Sequence, residues 1–281
     1  MSYFLLELIS FLHEGCMNLW VATIIQTLKK PIIGTLQENQ CLNLMKQLYC
    51  KNELAFTLIW IGIYVFSLSV ADGISSDLGI KKIITAPLCL LLSGFLYFWI
   101  CKMNLKQKYG LVYPQISLKS VLYYVPLVLI VSVNLWNGVQ LNDTIFECIL
   151  CVISMMCVGF LEEIIFRGFL FKTLAKDNLQ QAIIISSITF GIGHIVNLLN
   201  GADLIPTLLQ IAYAISAGYL FTILFHKTGT LIPCIITHST LNSLSAFVVE
   251  RSLMMDYAAA AFLVVVPLCY AWYLQCNQRP E

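Results

Sequence analysis

Charged residues are scarce in this chain. Only 11% of its 281 residues are Asp, Glu, Lys or Arg, whereas 59% are hydrophobic. A soluble domain has about 25% charged residues, so this composition excludes an ordinary soluble protein and indicates a polytopic membrane protein. The formal net charge is only +1, and without an excess of basic residues we expect no binding of nucleic acid.

Several other patterns are also missing. No segment recurs with a fixed period, which argues against a solenoid and gives no support to a transporter built from inverted repeats. The first apolar run has no basic segment before it and no small-residue cleavage site after it, so no secretory signal is predicted. The 11 cysteines match no disulfide framework, and packing in apolar surroundings is their favoured role.

Long apolar runs are what the chain has in abundance. About 20 apolar residues are needed to cross the hydrocarbon core of a bilayer, which is ~30 Å thick. Eight runs have this length or come close to it, so we predict an all-α, polytopic membrane protein with eight transmembrane helices. The runs lie at about 54–71, 84–101, 120–137, 145–171, 181–199, 206–225, 230–249 and 257–275.

The first 50 residues follow a different pattern. Their apolar runs at 3–12 and 17–28 are too short to span a membrane, and residues 36–49 place polar and apolar side chains at helical spacing. Amphipathic segments of this kind lie in the plane of the membrane interface, so we predict interfacial helices over residues 1–50. A hairpin that dips into the bilayer is the alternative.

Ionisable residues are distributed unevenly among the predicted spans. They are nearly absent from the first three and concentrate in the fourth, fifth and seventh. Because ionisable side chains inside a membrane are costly and usually functional, we predict a working core in the later spans. The predicted division is an N-terminal interfacial region at 1–50, scaffold helices one to three at 51–144, a catalytic core with helices four to seven at 145–250, and a last helix with a short tail at 251–281.

The charges of the loops alternate in sign along the chain. Because Lys and Arg are enriched in cytoplasmic loops, this alternation predicts that both termini are cytoplasmic. The basic side has Lys102, Lys106, Lys108, Lys119, Arg167, Lys172, Lys176 and Lys227. The opposite side has Asp72, Asp77, Asp143, Asp203, Glu250 and Asp256, with Lys81, Lys82 and Arg251 among them.

Three ionisable residues, Glu162, Glu163 and Arg167, lie within six positions of the fourth span. An ionised side chain at the bilayer centre costs about 2.5–3.5 kcal/mol, so a functional site is the default interpretation. Glu163 and Arg167 are four residues apart on one helix face and can pair. Since adjacent helical residues point about 100° apart, we expect Glu162 alone to face a cavity. A structural Glu–Arg pair with a spare carboxylate is the alternative.

The fifth span contributes His194. Helical spacing predicts that it shares one stripe with Ser187, Gly191 and Asn197. Glycines at positions 191 and 193 would let a neighbouring helix come close, as membrane interfaces favour. An intramembrane His that merely satisfies a hydrogen bond is the alternative.

The seventh span contributes His238 and, one helical turn later, Asn242. Such a pair can hold one ligand group between its side chains, and Cys234 and Ser245 extend the same predicted face. Hydrogen bonds to neighbouring helices, worth ~0.6–2 kcal/mol each, are the alternative role.

Together, the three spans bring a carboxylate, two imidazoles and a carboxamide near mid-depth in the membrane. A carboxylate can take a proton from water, an imidazole can help to orient that water, and a His–Asn pair can donate hydrogen bonds to an oxyanion. Amide hydrolysis needs all three roles. Two His and one Glu also form a hydrolytic zinc set, so zinc bound by Glu162, His194 and His238 is a second hypothesis.

Three motifs in this order and spacing resemble those of the CAAX prenyl protease and bacteriocin-processing family of intramembrane proteases, also called the CPBP or Abi family. The motifs are Glu162-Glu163-x-x-x-Arg167, Phe190-x-x-x-His194 and His238-x-x-x-Asn242. The resemblance covers about residues 145–250. It implies a similar layout of eight spans and proteolysis within the membrane, including removal of the last three residues of prenylated proteins. Many bacterial members instead process or control secreted peptides, or give immunity to bacteriocins.

The resemblance also implies a role for each residue of the set. The implied roles are general base for Glu162, assistance from His194, support of the site by Glu163 and Arg167, and oxyanion binding by His238 with Asn242. Family members have been described both as metalloproteases and as metal-free glutamate proteases. We favour a metal-free reaction, because Asn is a poor zinc ligand and no further thiolate or carboxylate joins the set.

The resulting hypothesis is an intramembrane endopeptidase that cleaves a membrane-associated peptide or a lipidated protein, with Phe166, Phe169 and Tyr213 lining an apolar approach. The bias towards Lys over Arg suggests a bacterial plasma membrane, and therefore the processing or export of peptides, bacteriocins or autoinducers. The alternatives are a non-catalytic immunity or peptide-binding factor and a proton-coupled transporter that uses the same buried polar residues.

Overall fold

The structure, a computed structural model, describes residues 34–113 and 124–276. Within these ranges the chain folds into helices, and its only β-type pairing is an isolated bridge between Val139 and Val248. The prediction of an all-α fold is thereby confirmed. The predicted apolar segments 3–12 and 17–28 lie outside the described residues.

The helices are numbered here in chain order. They are α1 Gly34–Lys51, α2 Glu53–Asp77, α3 Thr85–Lys102, α4 Val125–Ser132, α5 Ile145–Leu174, α6 Leu179–Gly193, α7 Leu204–Thr228, α8 Ile232–Leu244 and α9 Leu253–Cys276. Helix α5 is an α-helix to Glu162, a π-helix over Glu163–Phe171, and α-helical again to its end. Helix α6 is followed by a short helical turn, Val196–Leu199.

The chain divides into two compact units, the first ending at Lys51 and the second beginning at Asn52. Helix α1 belongs to the first unit and includes the segment 36–49 that was predicted to be helical. Its predicted position in the membrane interface is not confirmed, and the predicted division into four regions stays a prediction. The remaining helices form the second unit.

The predicted count of eight spans is not confirmed. By length and apolarity, six helices of the described residues could cross a membrane, namely α2, α3, α5, α6 with its following turn, α7 and α9. The predicted spans 120–137 and 230–249 correspond to shorter helices. Helix α4, with the 3₁₀ turn after it, covers Val125–Leu135, and α8 has 13 residues. At 1.5 Å per residue, α8 is about 20 Å long, well short of the hydrocarbon core.

The hydropathy pattern overestimates the span predicted at 230–249 because its apolar residues continue past α8, whereas residues 120–123 of the other predicted span lie outside the described residues. Proline occupies the first turn of both α4 and α8, where it is compatible with a helix start but not with a helix interior. Beyond the C-terminal end of α8, Val248 has an extended backbone. A window that counts apolar side chains cannot separate such loop residues from the helix that they flank.

The loops of the second unit gather at two ends, of which one is predominantly basic. There Lys108 and Lys176 bind the Glu53 carboxylate, with Nζ–Oε1 distances of 3.0 and 2.9 Å, and Leu231 N–H donates to Gly110 O. This basic end contains Lys102, Lys106, Lys108, Lys172, Lys176 and Lys227, together with Glu53 and Asp177.

The opposite end is predominantly acidic. There Lys81 pairs with Asp143, and Asn142 Nδ2 donates to Val248 O at 3.0 Å. This acidic end contains Asp72, Asp77, Asp143, Glu147, Asp203, Glu250 and Asp256, together with Lys81, Lys82 and Arg251. Helix α5 begins here with a capping box, in which Thr144 and Glu147 satisfy each other's backbone N–H groups.

Helices α5 and α8 approach each other closely at Gly159. A Cβ atom added there would lie 2.7 Å from Ser239 N and 2.8 Å from Ser239 Cα. Ser239 Oγ also donates to Met156 O at 3.0 Å, which ties the same turns together. The contact fixes the depth of α8, and therefore of the neighbouring His238, against α5.

Substituting Gly159 with Ala should separate these two helices. We expect Gly159→Ala to lower the stability of the folded protein by about 1–3 kcal/mol, the usual cost of overpacking a tight core. Thermal unfolding of the detergent-purified protein measures the effect. Gly62→Ala on α2 is the matched control, because a Cβ there meets nothing within 4 Å. Equal stability of both variants would show that the close contact is unimportant.

Candidate functional site

A cavity of about 560 Å³ lies among α2, α5, α6, α7 and α8. Four of the six predicted site residues line it: Glu162, His194, His238 and Asn242. The other two, Glu163 and Arg167, lie behind its wall and are completely buried. The structure therefore brings the spans that carry the motifs to one pocket, as the sequence predicted.

The imidazole of His238 lies between the two glutamates. Its Nδ1 is 2.8 Å from Glu163 Oε1, and its Nε2 is 3.3 Å from Glu162 Oε2. Glu162 lines the cavity and Glu163 does not, yet both contact this ring, because an imidazole offers nitrogens on two edges. The helix also changes from α to π between these glutamates. Local π segments occur frequently at functional sites.

Glu163 also binds Arg167, as the spacing of four residues predicted. The Arg167 Nη1–Glu163 Oε1 distance is 3.0 Å, and both side chains have no exposed surface. The guanidinium lies over the ring of Phe190, with Cζ 4.0 Å from the ring centroid. Gly218 leaves room for it, since a Cβ there would lie 2.9 Å from Arg167 Nη2. A buried charge is tolerated when it is paired and stacked in this way.

Tyr64 is a site residue that the sequence reasoning missed. Its hydroxyl, on α2, donates to Glu162 Oε1 at 2.7 Å within the protein interior. The signal was present in the sequence, because Tyr64 lies near the middle of the first predicted span, whereas tyrosines in membrane helices concentrate at the interfaces. A buried tyrosine hydroxyl usually has a hydrogen-bond partner, but the sequence alone did not identify Glu162 as that partner.

His194 reaches the cavity from the end of α6. It is the residue that caps this helix, and its ring lies edge-on to Phe190 with centroids 5.5 Å apart. Among the described residues no hydrogen bond joins His194 to Glu162. The predicted stripe with Ser187 and Asn197 is interrupted because the α-helix ends at Gly193. Ser187 donates to Ile183 O, whereas Asn197 donates to Gln210 Oε1.

Of the four residues predicted to share one face of the seventh span, three line the cavity and Cys234 does not. Asn242 and Ser245 both line the cavity, whereas Cys234 is buried with its Sγ 3.6 Å from Phe221 O. Cys234 lies one helical turn before His238 on the same helix face, but it does not line the cavity.

Gly191 allows close packing as predicted, but Gly193 does not. A Cβ on Gly191 would lie 2.9 Å from Ile211 O and from Ile215 N, both on α7. A Cβ on Gly193 would meet nothing within 4 Å, and this residue instead borders the cavity.

Two of the three aromatic residues predicted to line an apolar approach do line the cavity, namely Phe166 and Tyr213. Phe169 instead packs against Phe56 and Tyr109, with ring centroids 5.2 and 5.0 Å apart. It lies within the π segment on the side away from the pocket, in an aromatic cluster near the basic end. Plain packing is therefore its role in the structure.

The predicted zinc ligands are Glu162, His194 and His238. A catalytic zinc site uses three protein ligands. Glu162 Oε2 and His238 Nε2 are close enough to share one ion, but no group of three or more His, Cys, Asp or Glu side chains in the described residues could hold a metal ion. The residues as arranged do not fit the predicted zinc set, and no step below uses a metal.

Residues 144–244 match the family of type II CAAX prenyl endopeptidases described as Rce1-like. The matched segment contains all six predicted site residues, so the resemblance read from the motifs is confirmed over this part of the chain. No curated protein and no solved structure matches the chain. The match, the apolar helices and the cavity together identify a multi-pass membrane protein with a CAAX-protease-like domain.

The hydrogen bond from Tyr64 to Glu162 should support activity. Hydrogen bonds to charged groups contribute about 1.5–3 kcal/mol, so we expect Tyr64→Phe to lower kcat about 10–100-fold with little change in KM. Cleavage of a fluorogenic lipopeptide by the detergent-purified protein measures this. Tyr257→Phe, at an exposed position, is the control. Unchanged kcat in a folded Tyr64→Phe protein would exclude this positioning role.

Proposed function

We propose that this protein, whose residues 144–244 belong to the Rce1-like type II CAAX prenyl endopeptidase family, hydrolyses a peptide bond at Glu162. The observation that carries the proposal is the placement of Glu162 and His238 on one cavity wall, with their facing atoms 3.3 Å apart. The substrate is a hydrophobic or lipidated peptide or protein that is associated with the membrane.

Glu162 is the general base in this proposal. One carboxylate oxygen, Oε1, already accepts a hydrogen bond from Tyr64, which leaves Oε2 directed at the space beside His238. A water held there loses a proton to Oε2 while its oxygen attacks the carbonyl carbon of the substrate. Positioned general bases contribute about 10²–10⁴-fold to rate.

His238 and Asn242 bind the oxyanion that forms. Glu163 holds Nδ1 of His238 at 2.8 Å, which fixes the ring so that Nε2 is directed to the Glu162 side of the cavity. When Nε2 carries a proton, its N–H can donate to the oxyanion, together with the side-chain amide of Asn242 one helical turn away. Donors aimed in advance at developing charge need no reorganisation during the reaction.

Collapse of the tetrahedral intermediate completes the reaction. The C–N bond breaks, and the proton that Glu162 took from water passes to the leaving amine. Glu162 Oε2 keeps this proton in the interval, while the Nε2–H of His238 donates to the oxyanion. His194, on another wall of the same cavity, assists by orienting either the water or the leaving group.

Glu163 and Arg167 act through His238. They touch neither the cavity nor the substrate, so they are positioning residues. The Arg167 guanidinium offsets the negative charge of Glu163, and this pairing keeps a charged carboxylate in the interior, where an unpaired one would be strongly disfavoured.

The two non-enzymatic alternatives have weaker support. A transporter needs a route that reaches both faces of the membrane in turn, whereas the described lining of this cavity extends to only one end of the helices. A peptide-binding or immunity factor needs a pocket but not a base. The ordered contacts of Tyr64, Glu162 and His238 are what a base requires and a simple binding pocket does not.

Replacing the base should abolish cleavage. We expect Glu162→Gln to lower kcat about 10²–10⁴-fold in the lipopeptide assay, and to stop peptide processing in cells that express it. Glu250→Gln is the control, since Glu250 is an exposed residue at the acidic end. Full cleavage by Glu162→Gln in both assays would rule out Glu162 as the base.

The same assay separates the metal-free reaction from the zinc alternative. Cleavage by the unsubstituted protein should persist in a chelator that inactivates a zinc protease assayed beside it. Loss of cleavage that added zinc restores would show instead that the reaction depends on a metal.

A further inference from the structure

The cavity occupies only the part of the second unit that leads to the acidic end. On α2, which runs from the basic end to the acidic end, its lining begins at Tyr64 and ends at Asp72. On α8, which runs the same way, the lining begins at His238 and continues past the helix to Ser245. The first turns of both helices, near the basic end, do not contribute.

The mouth of the cavity lies in the loops of the acidic end. Lys82, between α2 and α3, and Asn200 and Ala202, between α6 and α7, all line it. Among the described residues, none of the loops at the basic end, 103–113, 175–178 and 229–231, contributes to the lining. The pocket is therefore open at one end of the bundle and closed at the other.

The closed end is sealed by packed aromatic and aliphatic side chains. Phe169, Phe171 and Phe225 each have at most 1% of their surface exposed. Leu231 is fully buried, and its N–H donates to the carbonyl of Gly110. In the part of the chain that the structure describes, this packed layer separates Glu162 from the basic end.

The two ends differ in charge, and the charge of its loops determines how a membrane protein is oriented. At the basic end Lys outnumbers acidic residues, and Glu53 is paired with Lys108 and Lys176. At the acidic end the two lysines of the α2–α3 loop are paired, Lys81 with Asp143 and Lys82 with Asp72. Loops rich in Lys and Arg stay on the cytoplasmic side, which places the basic end in the cytoplasm.

We infer that the cavity opens on the extracytoplasmic face, so that the substrate is a peptide segment presented from outside the cytoplasm. This inference rests on the proposed function for the chemistry at Glu162, but not for the orientation. A lipidated tail that stays in the cytoplasm would meet the closed end. An exported peptide, or the outer part of a membrane-anchored one, meets the mouth.

The depth of the pocket sets a further requirement on that segment. Tyr64, which binds Glu162, and Asp72, at the mouth, are separated by eight residues of α2, or about 12 Å at 1.5 Å per residue. An extended chain spans at most about 3.3–3.6 Å per residue. About four extended residues must therefore lie between the mouth and the bond that is cleaved.

Site-specific labelling tests the orientation. Asn200→Cys at the mouth and Lys176→Cys at the basic end are each introduced into the full-length chain, and both positions are exposed. Cells expressing them are treated with a membrane-impermeant maleimide, before or after permeabilisation. Mass spectrometry of the peptide that contains each new cysteine keeps the native cysteines out of the measurement.

We expect the cysteine at position 200 to be labelled in intact cells, and the one at position 176 only after permeabilisation. The opposite pattern, or labelling of both only after permeabilisation, would overturn the inference. If the cysteine at 200 fails to react even in permeabilised cells, Ala202→Cys at the same mouth decides by the same criterion. The labelling pattern should be the same in variants that also carry Glu162→Gln. A failure of the catalytic proposal is therefore distinguishable from a failure of the predicted orientation.

Substrate use gives a second, independent measurement. A membrane-impermeant fluorogenic peptide with at least about four extended residues on each side of its cleavage site should be cut by intact cells. It should not be cut by sealed inverted vesicles, whose cytoplasmic face is outside. Cleavage by the inverted vesicles alone would contradict access from the acidic end.

Discussion

The site depends on one imidazole held between two carboxylates. His238 belongs to α8, a helix too short to cross the membrane, and both of its ring nitrogens face glutamates of α5. The contact with Glu163 settles the orientation of the ring, and that orientation settles which nitrogen faces the cavity. The remaining polar contacts either support this imidazole from behind or complete the pocket in front of it.

The support behind the imidazole explains why the chain tolerates charges at this depth. Arg167 is fully buried, is paired with Glu163 and lies over the face of Phe190. Such a charge would be costly alone, but the pair, the aromatic face and the room left by Gly218 together accommodate it. The π segment of α5 begins at Glu163, where the helix must present successive polar side chains to α8 and to its own next turn.

Much of the site could be predicted because it depends on spacing within single helices. The Glu163–Arg167 pair follows from four-residue spacing, and the family match at 144–244 follows from three motifs in order. The features that the sequence did not predict depend on contacts between helices or on where a helix ends. Tyr64 comes from a helix outside the matched segment, and the stripe through His194 is broken because α6 ends one residue before it.

The predicted number of spans is not confirmed, for a related reason. Apolar composition reports that a segment avoids water, but α8 avoids water mainly by packing inside the bundle, where Cys234 and His238 are buried. Its shortness has a consequence for function. A helix that ends inside the bundle leaves space beyond its last turn, and Asn242 and Ser245 border the cavity at that point.

The most direct measurement of this central contact is a double-mutant cycle on kcat with Glu163→Gln, His238→Gln and the double variant. If Glu163 acts only through His238, residues that work as a unit give strongly non-additive losses. The double variant should then be within about threefold of His238→Gln alone, because Glu163 has no ring left to position once His238 is replaced. Losses that multiply would contradict the account, since they would mean that the two side chains act independently.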